Sequence, residues 1–154
     1  MKTMRSELQE TLKTFASAVR ALLKDRDVVY ADPSERALVA RIRNLLNGQF
    51  EGWSIDLEWN RHEDDIKRLG CGPDDEDLII VPDLIVHRVG RSENLLVVEV
   101  KKASNRDFDS DIRKLKGMTE QTGQYGYKVG LHLVIDPTAG TAPRSDVYVD
   151  VNLD

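Results

Sequence analysis

The chain has 154 residues, 40% of them hydrophobic and 32% charged, with a net charge of −5 and a single cysteine. That length and balance predict one globular domain with a real core, and no apolar run approaches the ~20 residues that a membrane helix needs. The acidic balance is compatible with a nucleic-acid partner only if basic residues gather at a cleft and acidic ones lie behind it.

Residues 1–7 lead into an amphipathic segment and not into the apolar core of a signal peptide. Cys71 has no intrachain partner for a disulfide, so a cytoplasmic protein is expected. Residues 4–24 are predicted helical, because Leu8, Leu12, Phe15, Val19 and Leu22 recur at alternating spacings of four and three. This stripe must be buried. It packs either on the domain itself, the reading preferred here, or against a second copy in a homodimer, since the spacing also suits a coiled-coil seam.

Asp32-Pro33-Ser34-Glu35 predicts a helix start, with Asp32 as cap, Pro33 in the first helical position and Glu35 in the third. The helix is expected to run to about Asn47, to end at Gly48, and to bury Leu38, Ile42, Leu45 and Leu46. Glu35 heads that stripe. It is either a capping-box residue or a carboxylate directed inward.

A strand is predicted over residues 53–59, where Ile55, Leu57 and Trp59 alternate with Ser54, Asp56 and Glu58. Arg61 and His62 follow at the strand's end, as candidate phosphate contacts or as plain surface residues. His62 has no His or Cys at zinc-ligand spacing. Gly70, Gly72 and Pro73 mark a loop, and Asp74-Asp75-Glu76-Asp77 within it lacks EF-hand spacing.

Residues 78–89 and 95–102 read as two strands of a hairpin joined through Gly90 and Asn94. Facing positions in an antiparallel hairpin have a constant sum. A turn centred on Arg91 makes it twice 91, or 182, and sets Asp83 opposite Glu99. Side chains alternate, so Glu99 and Lys101 share that face. Two carboxylates opposed within an apolar hairpin repel. Lys101 or a divalent cation must offset the repulsion, and hard oxygen ligands suit Mg²⁺ or Mn²⁺. Both strands are apolar on both faces, so helices must cover the sheet on two sides.

A second core helix is predicted from Asp107 to about Tyr127, capped by Asp107 or Asp109, with Phe108, Ile112, Leu115, Met118 and Thr122 buried. Gln121 and Tyr125, four apart, share a face of it, and Lys114 and Lys116 are expected to face solvent. Strands at 130–135 and 146–151 complete the chain, the latter at an edge.

Pro82-Asp83 followed by Glu99-Val100-Lys101 resembles the PD-(D/E)xK nuclease superfamily, which includes restriction endonucleases, Holliday-junction resolvases and RecB-type exonucleases. The resemblance covers about residues 33–135. The order helix–strand–strand–strand–helix–strand matches the αβββαβ core that it implies, a mixed sheet flanked by helices, here with an added N-terminal helix. It further implies that Asp83, Glu99 and the Val100 carbonyl hold Mg²⁺ or Mn²⁺. Glu35 would assist directly or through water, and Lys101 would orient water and stabilise charge on a phosphate. Gln121 and Tyr125 match the Gln-x-x-x-Tyr pattern of RecB-type relatives, as substrate contacts. The activity expected is therefore metal-dependent hydrolysis of phosphodiester bonds in DNA. The alternative is a catalytically silent protein of this fold that serves as a partner-binding or assembly module.

Overall fold

The computed structural model describes residues 3–59, 61–62, 65–66, 68–69, 78–79, 81–91, 93–138 and 143–150. Cys71 and the acidic loop at 74–77 lie outside these, as do the side chains of Arg61 and His62.

Helix α1 spans Met4–Lys24, as its periodicity predicts, and Thr3 caps it by accepting the Ser6 N–H at 3.1 Å. Phe15, Ala18, Val19 and Leu22 are buried in one cluster with Leu38 and Ile42, so the stripe that suggested a homodimer is covered by the chain's own core. A short helix that the periodicity does not reveal, α2 (Arg26–Ala31), follows at once. Asp25 ends α1 and caps α2 with its carboxylate.

The next helix starts two residues later than its sequence predicts. Asp32 does not cap it; it terminates α2 in the left-handed conformation, φ 46°. Ser34 is the cap of α3 (Glu35–Leu45), its hydroxyl accepting the Ala37 N–H at 3.2 Å. Glu35 is thus the first helical residue. A capping box needs its acid two positions further on, where Ala37 stands, so the carboxylate of Glu35 is free for another partner. Gly48, at φ 77°, supplies the turn beyond the helix.

The main sheet has five strands: β1 (Ser54–Leu57), β6 (Leu84–Arg88), β7 (Glu93–Lys102), β8 (Val129–Ile135) and β9 (Arg144–Tyr148), in that spatial order. All neighbours are antiparallel except β7 and β8, which run parallel across the crossover helix α4 (Asp109–Thr119). Two small ribbons stand apart from it. In one, β2 (Arg61–His62) pairs with β3 (Asp65–Ile66); in the other, β4 (Arg68–Leu69) pairs with β5 (Leu78–Ile79). The single strand expected over 78–89 is therefore split. Pro82 has no N–H for a ladder, and β6 begins only after Asp83.

The architecture is α/β, a mixed sheet with helices on both faces. On one face Leu84, Val86, Leu96, Val98, Val100, Leu131 and Leu133 pack with α1 and α3. On the other, Ile85 and Val97 meet Leu115 and Met118 of α4, with Tyr125 and Tyr127. Alternation in β1 breaks at Glu58, which takes φ 50°. Leu57 packs with the first cluster and Trp59 with the second. Among the described residues no helix is long and apolar enough to cross a membrane.

Candidate active site

The β6–β7 ladder pairs Leu84 with Val98, Ile85 with Val97 and Val86 with Leu96, then slips by one residue at a bulge to pair His87 with Asn94 and Arg88 with Glu93. The turn is one residue tighter than a centre at Arg91 requires, and Leu95 is the extra residue that restores the register. Asp83, one position before Leu84, therefore lies opposite Glu99. Since Ile85 and Val97 point toward α4, alternation directs Asp83, Glu99 and Lys101 to that same face.

Each carboxyl acts on the titration of the other. Asp83 Oδ2 accepts the Val100 N–H at 2.7 Å. Glu99 is 4% exposed, and its Oε1 has no hydrogen-bond partner. Burial, followed by the charges of Asp83 and Asp111, pushes the Glu99 carboxyl up to about 9, against the opposing charge of Lys114. Asp83 is also raised, chiefly by burial, although the Val100 N–H and the neighbouring Glu99 carboxyl hold it down. A pair of this kind carries one proton between two acids at neutral pH. The proton occupies the place of the cation that the sequence calls for.

Lys101 does not supply that cation. Its Nζ lies 3.2 Å from Oδ2 of Asp111, a buried residue in the first turn of α4. The same oxygen is 3.3 Å from Nε2 of His132 on β8. Burial alone would lower the Lys101 pKa. The Asp111 carboxylate, by charge and by hydrogen bond, outweighs it together with Glu35 and Asp83, and the ammonium is held above its ordinary value. Glu35 approaches from the opposite layer. Its Oε1 accepts the Lys102 N–H at 3.1 Å, at the end of β7, and its charge reaches both Asp83 and Lys101. The Lys102 ammonium turns away to Asp32, 2.8 Å from Oδ1. A cleft of about 250 Å³ opens between α3 and the end of β1, lined by Glu35, Arg36, Val39, Leu57, Glu58 and Asp83.

Other expected contacts do not join this cluster. Helix α4 stops at Thr119, well short of Tyr127, because Glu120 is extended and Gly126, at φ 55°, holds a turn that no helix contains. Gln121 and Tyr125 are therefore not on a helix face. The Gln121 side chain donates to the Thr119 and Tyr127 carbonyls at 3.1 and 2.9 Å. Tyr125 is buried, and its carbonyl accepts the Asn94 side chain at 2.7 Å, near the start of β7 and away from Lys101. Both close the turn into β8. Lys114, expected to face solvent, is half-buried and acts on Glu99, whereas Lys116 is exposed. Arg61 and His62 form β2, adjacent in sequence to the end of β1.

Two site neighbours, Asp111 and His132, lie outside the motif residues. Asp111 left a trace, since it precedes Leu115 and Met118 at the four-then-three spacing of a buried face. His132 left none within its apolar strand. His87, on the same sheet face but at the turn end of β6, pairs instead with Asp56, 2.6 Å between Nε2 and Oδ2. Among the described residues no three His, Cys, Asp or Glu side chains form a ready-made metal cage. The donor chemistry nevertheless fits a hard divalent ion: two opposed carboxyls, a buried oxygen without a partner, and one proton to displace. No protein-family model, curated protein or solved structure matches the chain.

Proposed function

We propose that the protein is a metal-dependent phosphodiesterase of the PD-(D/E)xK type, acting on DNA in the cytoplasm. The observation that carries this reading is the pair Asp83–Glu99, opposed across the β6–β7 ladder with Glu99 buried and its Oε1 left without a partner. Supporting it, α3, β1, β6, β7, α4 and β8 follow the αβββαβ order of a restriction-endonuclease-like core.

Asp83 and Glu99 would hold Mg²⁺ or Mn²⁺, with the Val100 carbonyl and Glu35 as the further ligands that the resemblance implies. Such an ion acts as a Lewis acid and lowers the pKa of bound water. Lys101, kept charged beside Asp111, suits stabilisation of negative charge on a phosphate and does not suit a general base, which must give up its proton. Arg61 and His62, in the ribbon that follows β1, are the candidate phosphate contacts along the strand.

A second reading is a non-catalytic assembly module on the same fold. It draws on the pairing of cations: Arg36 with Glu58, Arg41 with Asp25, Lys102 with Asp32 and Lys128 with Glu7 leave fewer for a polyanion. Thermal-shift titration with Mg²⁺ and Mn²⁺, beside cleavage assays on duplex, single-stranded and branched DNA, separates the two. Stabilisation by metal together with cleavage supports the nuclease. No shift at millimolar metal and no cleavage supports the module.

A further inference from the structure

Asp111 is a carboxylate on a helix face otherwise given to Leu115 and Met118, and it is 6% exposed. Burying a charge there is costly unless it is paired. Its Oδ2 is shared by two groups from two different strands, the Lys101 ammonium at 3.2 Å and His132 Nε2 at 3.3 Å. Strand β7 sets the backbone of Lys101, but four side-chain torsions separate that backbone from the ammonium. Without an anchor the charge would be spread over several rotamers. His132 is held in turn. It is 1% exposed, its ring meets Phe108 edge-on at 5.2 Å, and its Cα partner across the parallel ladder is Glu99. The chain Phe108–His132–Asp111–Lys101 thus runs from β8 and the start of α4 to Lys101, on the same sheet face as the acid pair.

We propose that Asp111 is a positioning residue, which holds the Lys101 ammonium where a phosphate is to be met and is itself fixed by His132. The proposal rests on the nuclease reading, because it assigns Asp111 a role in that reaction. Asp111 does not touch the substrate; it acts through Lys101. Apart from the charge that Asp111 exerts on Glu99 and Asp83, its effect on turnover must therefore pass through the lysine.

That requirement gives a double-mutant cycle. Asp111→Asn is expected to lower kcat by up to ~10²-fold, the size of effect that follows from displacing a reacting group by about an ångström, with KM changed much less. In a Lys101→Ala background the same Asp111→Asn change is expected to cost at least about tenfold less, leaving only the effect of its charge on Glu99 and Asp83. Asp111→Glu should recover part of kcat. NMR of the lysine NH₃⁺ groups in the metal-free, substrate-free protein provides a readout independent of activity. The Lys101 signal, protected by its hydrogen bond, should be lost to exchange in Asp111→Asn, while Tm shows that the variant is folded.

Equal losses from Asp111→Asn in both backgrounds, or an unaltered Lys101 NH₃⁺ signal, overturn the positioning role while the nuclease reading stands. A wild-type protein that cleaves no DNA with Mg²⁺ or Mn²⁺ overturns the nuclease reading and takes the catalytic role of Asp111 with it. In that case a lost Lys101 signal in Asp111→Asn identifies a structural ion pair.

Discussion

Glu99→Gln tests the central claim about the acid pair. In the unfolded chain Glu99 titrates near its ordinary 4.5; in the fold it is pushed up to about 9. The folded state therefore binds a proton that the unfolded state releases throughout that interval. The stability this proton confers is complete below pH 4.5 and is lost progressively as pH rises toward 9. Each pH unit within the interval is worth about 1.36 kcal/mol. From pH 4.5 to 7 the loss is then up to ~3 kcal/mol, and across the whole interval up to ~6 kcal/mol, against a total stability of about 5–15 kcal/mol for a domain. Glutamine has the shape of the protonated acid, and its amide N–H can donate to Asp83 in place of the shared proton, so packing is kept and this titration is removed. Urea unfolding of both proteins at several pH values between 5 and 9 is the assay. The two are expected to be within about 1 kcal/mol at pH 5, and the variant should exceed wild type by a margin that widens to ~3 kcal/mol at pH 7. Parallel curves would mean that Glu99 ionises in the fold as freely as in the open chain, and that no buried proton stabilises the pair. Millimolar Mg²⁺ or Mn²⁺ should displace the proton and restore wild-type stability above pH 7, but not that of the variant.

Three further outcomes follow from the site's contacts. Asp83→Asn keeps an oxygen for the Val100 N–H, so its metal-free Tm should match or slightly exceed that of wild type, while calorimetry shows metal binding lost and cleavage assays show no activity; a wild-type response to Mg²⁺ would remove Asp83 from the ligand set. Glu35→Ala removes the acceptor of the Lys102 N–H and should destabilise by about 1 kcal/mol in chemical denaturation; if Glu35 assists the metal, calorimetry will also show weaker Mg²⁺ binding, and unchanged binding would leave it a role in holding β7 alone. Gln121→Ala should leave kcat unchanged and lower stability by about 1–2 kcal/mol, as expected for two lost hydrogen bonds in the turn before β8; a fall in kcat at unchanged stability would return Gln121 to the site.

Helix α1 was legible in the chain, because five apolar residues at helical spacing admit one buried face. So was the opposition of Asp83 and Glu99. Period-two alternation and a constant register sum are local properties of a hairpin, and the bulge at Val86/His87 compensated for a turn one residue tighter than expected. The mixed α/β architecture was legible for the same reason, since strands apolar on both faces require helices on both. Which charge answers which depends on how the elements cross. Lys101 looked like the counter-ion of the acid pair, being two residues from Glu99 on the same face. In the fold it is held by Asp111, which α4 lays across the sheet, and His132 is brought to the same oxygen by the parallel crossover. Glu35, Asp32 and Ser34 exchanged their expected tasks because α2 consumed Asp32 as its terminus, shifting the next cap by two residues. Gln121 and Tyr125 left the helix when Gly126 closed a turn against β8. Spacing along one element is encoded in neighbouring residues. The pairing of a buried charge depends on how separate elements cross, and the low dielectric between them makes that pairing strong enough to decide where each side chain goes.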